Sequence, residues 1–215
     1  MGTTKLEIYQ RAILHNRMTP VTTLLEDNEA RRLCDVHYAP TLQHMLESGF
    51  WRHAIRTVEI TQNTGVTPAF GYEYAHDEPS DFVRRYVVSA SDTLEPPLDY
   101  LTSNNPYLME GGYIWANVSP IYLRYVSNDS NYGLDLTKWP EVLTEAASLE
   151  LAYRICPKLT GSAELQKELD ERRVAALGKA NQLESLQQPT QTARPGRWVS
   201  SRFRDGYSGD DYRRA

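Results

Sequence analysis

The sequence predicts a mixed α+β protein. It reads as an antiparallel bundle of about four helices, interrupted by a small antiparallel β insert and followed by an extended C-terminal tail. Three observations carry this reading. Residues 137–188 repeat their apolar positions at helical spacing, as do two shorter stretches near the N-terminus. From Phe50 the apolar residues change to a period of two. After Pro189 no period remains, and Arg, Gly, Ser and Pro dominate. The domain reading is therefore residues 1–49 and 131–188 as bundle, 50–130 as inserted β-rich subdomain and 189–215 as basic tail.

In chain order, Thr4-Lys5-Leu6-Glu7 has the form of a capping box, in which a hydroxyl and a carboxylate each satisfy an orphan amide. A helix to about Asn16 follows, with Leu6, Tyr9, Ala12 and Ile13 on one side. Asp27 is the expected cap of a second helix whose apolar face is Ala30, Leu33, Cys34, Leu42, Met45 and Leu46. Gly49 is its stop. Pro40 lies inside it. Its ring deletes one backbone bond, which predicts a kink rather than an end, because the apolar face resumes at Leu42.

Ala54, Val58 and Ile60 alternate with Ile55 and Thr57, which predicts a strand. Gly65–Tyr74 reads as loop, Pro79–Arg85 as a helical turn or two, Tyr86–Ala90 as a second strand and Glu95–Pro106 as loop. Tyr107–Glu110 and Tyr113–Ala116 flank Gly111-Gly112, a hairpin signal, since paired glycines supply the positive φ of a tight turn. Ile121–Val126 is the clearest strand. Thr137 is the expected cap of the third helix, with Pro140 in its first turn and Pro157 as its stop. Its apolar stripe, from Trp139 through Leu143, Ala147 and Leu151 to Ile155, is wider than a surface helix needs, so neighbours are expected on several sides. Leu159-Thr160-Gly161 makes the corner. Ser162 caps a fourth helix with Leu165, Leu169, Ala176, Leu177, Ala180 and Leu183 on one face. So short a corner makes the last two helices antiparallel neighbours.

Composition narrows the function. The chain carries −5 net charge over 215 residues, unevenly spread. Six arginines and three aspartates make residues 189–215 +3, leaving a body of −8. An acidic body argues against tight duplex DNA binding, which needs phosphates neutralised. No apolar run is long enough for a membrane span, and the N-terminus has no apolar signal region. Cys34 and Cys156 fall in helical apolar patterns and are expected to be buried, reduced thiols. No phosphate-binding glycine loop, Cys-x-x-Cys, His-Glu-x-x-His or Gly-x-Ser-x-Gly motif occurs. His37 and His44 stand two helical turns apart, too far for one metal without other ligands. His76-Asp77-Glu78 could offer a general acid but reads as a solvated loop. No catalytic residue, metal site or cofactor is therefore expected. Of 14 tyrosines, Tyr72, Tyr74, Tyr107, Tyr113, Tyr122 and Tyr125 cluster in the β insert, where they suit either an interface or a small sheet core.

Several segments together resemble a known family. They are Phe70-Gly71-Tyr72-Glu73-Tyr74-Ala75, Pro79-Ser80-Asp81-Phe82-Val83-Arg84, Tyr122-Leu123-Arg124-Tyr125-Val126, Trp139-Pro140 and Leu159-Thr160. Their order and spacing are similar to those of the tail tubular protein A family, the head-to-tail adaptors of short-tailed bacteriophages, over about residues 5–188. The resemblance implies a helical bundle with a β insert. It also implies a homo-oligomeric ring, a dodecamer, between the portal protein and the tail nozzle or tail tube. Such a ring lines a channel through which DNA passes without specific binding. The expected place is the virion, at the head–tail interface, with assembly in the host cytoplasm and no membrane contact. The stretch to Arg204 fits a segment that reaches into the portal, whereas residues 206–215 have no counterpart.

The tail carries the expected partner-binding residues for portal or neighbouring subunit: Arg194, Arg197, Trp198, Arg202, Phe203 and Arg204. No acid interrupts residues 194–204, and Arg and Trp are the residues that most often dominate interfaces. Three other readings compete. One is an adaptor or head-completion protein of a long-tailed phage. Another is a polysaccharide hydrolase, which needs two carboxyls roughly 5–9 Å apart in a cleft. The last is a nucleic-acid-binding protein using the tail, which needs salt-dependent binding.

Overall fold

The computed structural model describes residues 2–68, 71–95, 97–98 and 106–187. It is mixed α+β, with four helices and two three-stranded antiparallel sheets. In order these are α1 (Lys5–His15), α2 (Glu29–Ser48), β1 (Ile55–Ile60), β2 (Tyr74–Asp77), β3 (Phe82–Ser89), β4 (Tyr107–Glu110), β5 (Tyr113–Ala116), β6 (Ile121–Ser127), α3 (Glu141–Leu159) and α4 (Ala163–Leu186). Residues 2–185 form one compact unit.

Helix starts follow local capping chemistry. Thr4 accepts from the Glu7 amide at the head of α1, as its capping box predicts. The second cap shifts by one residue: Asn28, not Asp27, accepts from the Ala30 amide, while Asp27 pairs with Arg32. The third shifts further. Asp135, not Thr137, caps a short 3-10 turn at Leu136–Lys138, and α3 begins only after Pro140. Trp139 precedes that proline and is held extended, at φ −70° and ψ 130°, so no helix can run through it from Thr137. Pro157 does not stop α3. It sits in the last turn, where its missing amide costs one bond, and Thr160 closes the end on the Cys156 carbonyl. Pro40 likewise stays within α2. Gly161, at φ +65°, turns the chain and Ser162 accepts from the Leu165 amide.

The first sheet has β6 in the centre, between β1 and β3. The second has β5 between β2 and β4. The Gly111-Gly112 turn, at φ +64° and +82°, sets the β4–β5 register, so Glu110 faces Tyr113 and Leu108 faces Trp115. Two expectations fail here. Tyr74–Asp77 is a strand, not loop, because it pairs along β5 from Tyr74–Ala116 to Asp77–Tyr113. Pro79–Arg85 is not helical. A turn at Pro79 feeds directly into β3, whose register breaks between Phe82 and Arg84 and again between Arg85 and Val87. Those bulges erase the alternation that marks a strand.

Three apolar cores result. Ile8, Tyr9, Ala12 and Ile13 of α1 join Cys34 of α2, Leu151, Ala152, Ile155 and Cys156 of α3, and Leu165 and Leu169 of α4. A second joins Leu42, Met45 and Leu46 to Trp51, Val126, Trp139, Leu143, Ala147 and Ala180. A third lies between the sheets and holds Val88, Leu98, Ile114, Ala116, Ile121, Leu123 and Tyr125. Val126 faces the helices while Tyr125 faces the second sheet, so the first sheet is a middle layer. The wide stripe of α3 is used as expected, with α1, α2 and α4 all against it.

Candidate interaction surfaces

Asp81 ties the first sheet together. Its carboxylate accepts from Tyr125 Oη at 2.9 Å, Ser127 Oγ at 2.5 Å and Arg56 at 2.9 Å, joining β1, β6 and the turn before β3. Burial alone would raise its pKa. The bonds from Ser127, Tyr125 and Arg56 outweigh that and hold it below the ordinary carboxylate value. Phe82 stacks on Tyr125 with centroids 5.6 Å apart. Where the first sheet meets α2, Arg84 lies over Phe50 at 4.2 Å, Phe50 meets Tyr86 edge-on at 5.0 Å, and Arg124 lies over Tyr86 at 5.1 Å.

On the helices two carboxylates are buried and paired. Glu150, 5% exposed, accepts from Arg154 at 2.7 Å and Arg173 at 3.0 Å, which links α3 to α4. Glu184, 7% exposed, accepts from the Arg52 amide at 2.8 Å and links α4 to the chain entering β1. Gly49 permits that approach, since a Cβ there would stand 2.5 Å from Asn181 Oδ1. A groove of about 460 Å³ runs between α3 and α4, floored by Val142, Leu149, Ala175 and Ala176. Glu141, Glu145, Arg172 and Lys179 line it as well. His15 sits beside it, 3.2 Å from Glu145 and 3.3 Å from Arg172. Its burial lowers its pKa against the pull of Glu145.

The second sheet has one covered face and one that is open except at Ala75, which lies opposite Trp115 and is 1% exposed. His76, Ile114 and Met109 lie across from one another on the side of the inter-sheet core. His76 is fully buried, with Nδ1 3.1 Å from the Ile114 carbonyl, and burial lowers its pKa. Asp77 projects to the other face. His76-Asp77-Glu78 is therefore neither a solvated loop nor one cluster. The open face carries Leu108, Trp115, Asp77, Tyr113 and Glu110, with the Tyr113 and Trp115 rings 5.3 Å apart. Asn63 Nδ2 holds both oxygens of Asp77, at 2.9 and 3.0 Å.

Arg194, Arg197, Trp198, Arg202, Phe203 and Arg204, the partner-binding residues expected from sequence, lie outside the described residues, as does Phe70. Sequence reasoning missed Asp81 as a node and the open face of the second sheet. The Gly-Gly turn contained the Glu110–Tyr113 and Leu108–Trp115 pairings, but nothing local announced that β2 would complete the sheet. Among the described residues no group of three His, Cys, Asp or Glu is placed to hold a metal, and no helix is long and apolar enough to cross a membrane. Neither protein-family models nor curated proteins gave a match to this chain.

Proposed function

We propose that this protein is a structural component of a phage virion, a head-to-tail adaptor that joins the portal to the tail as a homo-oligomeric ring. In this reading the four helices, from residues 1–49 and 131–188, act as one bundle that builds the ring. Residues 50–130 are an inserted subdomain, and residues 189–215 are the segment that attaches to portal or neighbour. DNA passes through the ring without specific binding, and the protein does no chemistry of its own.

One observation carries the reading. Two of the segments that resemble the adaptor family, Pro79–Arg84 and Tyr122–Val126, lie far apart in sequence but are bonded to each other. Tyr125 donates to Asp81, and Phe82 stacks on Tyr125. Their joint presence thus has a single physical cause, one folded node. The acidic body supports the same reading, since it suits a channel through which a polyanion must slide.

The test is the mass of the assembled particle. The full chain mixed with the portal protein of the same phage is expected to give a ring bound to the portal. A chain that stays monomeric with the portal present overturns the proposal. The same fold in a long-tailed phage is distinguished by electron microscopy of the parent particle.

A further inference from the structure

We infer that the open face of the second sheet is a docking site for an arginine-bearing segment, and that its occupant is the 194–204 stretch of a second copy of this chain. The inference deepens the reading of the tail as an attachment segment, but it concerns contacts between copies and does not require the portal.

The face is a pair of adjoining aromatic rings, tilted 43° to each other, with a carboxylate on each side of Tyr113. Register places Asp77 and Glu110 directly opposite Tyr113, on the strands to its left and right. Two strand spacings put those carboxylates roughly 10 Å apart, with the tyrosine ring between them. A guanidinium seated over the ring would lie within ion-pairing reach of both. Asp77 is already oriented by Asn63, so less freedom is lost when a cation arrives. Beside Tyr113, Trp115 and the 41%-exposed Leu108 extend the apolar floor.

The protein uses this chemistry elsewhere. Tyr9 and Tyr38 share Lys5. Phe50, Tyr86, Tyr107, Tyr132 and Tyr153 each carry an arginine within 5.4 Å of the ring centre. Among the described residues no cation lies over Tyr113 or Trp115, although Asp77 and Glu110 stand opposite Tyr113. Charge complementarity then selects the occupant. The body is acidic, and residues 194–204 hold four arginines, Trp198 and Phe203 with no acid. Reach is sufficient as well. From Gln187, where the described chain stops, an extended chain spans about 23 Å to Arg194 and about 56 Å to Arg204.

The test is fluorescence anisotropy of a labelled peptide of residues 189–215. Its receptor is the full chain carrying R194A, R197A, R202A and R204A, so that the receptor's own tail does not compete. Saturable binding is expected, weakened about tenfold or more when the receptor also carries Trp115→Ala, and again when it carries Asp77→Asn with Glu110→Gln. The exposed Glu110→Gln variant serves if Trp115→Ala does not fold, which thermal melting reports. Salt must weaken the complex, because it screens partly exposed charges. Equal affinity for all receptors overturns the inference. So does equal binding by a peptide without arginines, as a sugar-type or purely apolar platform would give. Sedimentation of the wild-type chain must show association that grows with concentration and falls with the same substitutions. A concentration-independent mass overturns the assignment to a second copy. Failure of the portal experiment with success here would leave a self-associating protein of another kind, and the reverse would move the tail to a different acceptor.

Discussion

The two sheets have the same strand number and the same antiparallel pairing, yet they differ in what covers them. The first lies between the helices and the second sheet, and several of its charged groups are answered inside the chain. Asp81 has three donors, and Arg84 and Arg124 lie on aromatic rings. The second sheet is the outer layer. Its core side holds Ile114 and Ala116, both fully buried, but its other side leaves Trp115 and Tyr113 beside carboxylates with no cation over them among the described residues. The polar groups that a middle layer buries must be satisfied internally, because water cannot reach them. An outer layer can leave them for a partner. The difference predicts that charge changes cost stability on the first sheet and binding on the second.

The largest effect is expected at Asp81. Asp81→Ala removes one acceptor and strands three donors, the partly buried Arg56 among them, so a loss of about 3 kcal/mol is expected. Thermal melting should fall by several degrees. An unchanged melting temperature would mean that the first sheet is held by apolar packing alone.

Next comes a pH window at the junction of the first sheet with the helices. His53 rests against Trp139, with ring centroids 5.8 Å apart, and burial lowers its pKa from 6.5 to about 4. Between those values the unfolded chain binds a proton that the folded chain refuses, so stability falls as pH drops from about 6.5 to about 4. His15 and His76, also lowered by burial, act with the same sign. His53→Gln should remove on the order of 2 kcal/mol of that slope in denaturant titrations at several pH values. Asp81 acts in a separate window. Its stabilisation is present above the unfolded value near 3.8 and is lost as pH falls further.

A smaller effect is expected at the turn that fixes the open face. Gly112→Ala meets nothing within 4 Å, so its cost is the left-handed backbone alone, about 1–2 kcal/mol. Gly111→Asn should cost little, since Asn accepts that conformation in tight hairpins. Equal losses at both would argue for a contact beyond the turn.

These positions differ in how far the sequence reveals them. Gly111-Gly112 and the alternation around it specify the β4–β5 hairpin completely, because every determinant is within ten residues. The capping box at Thr4 and the corner at Gly161 are legible for the same reason. β3 is not, since its two bulges replace the period-two pattern with Phe-Val-Arg-Arg, whose logic is visible only beside β6. β2 is not, since four residues containing a buried histidine look polar until Ile114 stands opposite. The start of α3 is not legible, since Thr137 has the chemistry of a cap while the constraint that decides comes from Pro140 acting backwards on Trp139. The Asp81 node joins residues 44 and 46 positions apart, a distance over which sequence patterns carry no signal. The tail arginines are plain in the sequence and lie outside the described residues.

The finest comparison sets one charge on each sheet against the other. Arg84→Ala deletes a guanidinium that lies 4.2 Å from the Phe50 ring and donates to the Glu47 carbonyl at 3.1 Å. Each contact is exposed enough to be modest, so the sum should be about 1 kcal/mol in urea unfolding. Glu110→Gln removes a charge of similar exposure that has no partner among the described residues and faces Asp77 across one intervening strand. Its loss should leave stability within about 0.5 kcal/mol, on either side of zero. Removal of one of two like charges can even help slightly. Both variants should keep the wild-type urea dependence, which reports an unchanged folded state. If Glu110→Gln costs as much as Arg84→Ala in dilute protein, Glu110 is already engaged within the single chain. The open face would then be closed in the monomer, and the contrast between the sheets would fail at its most exposed point.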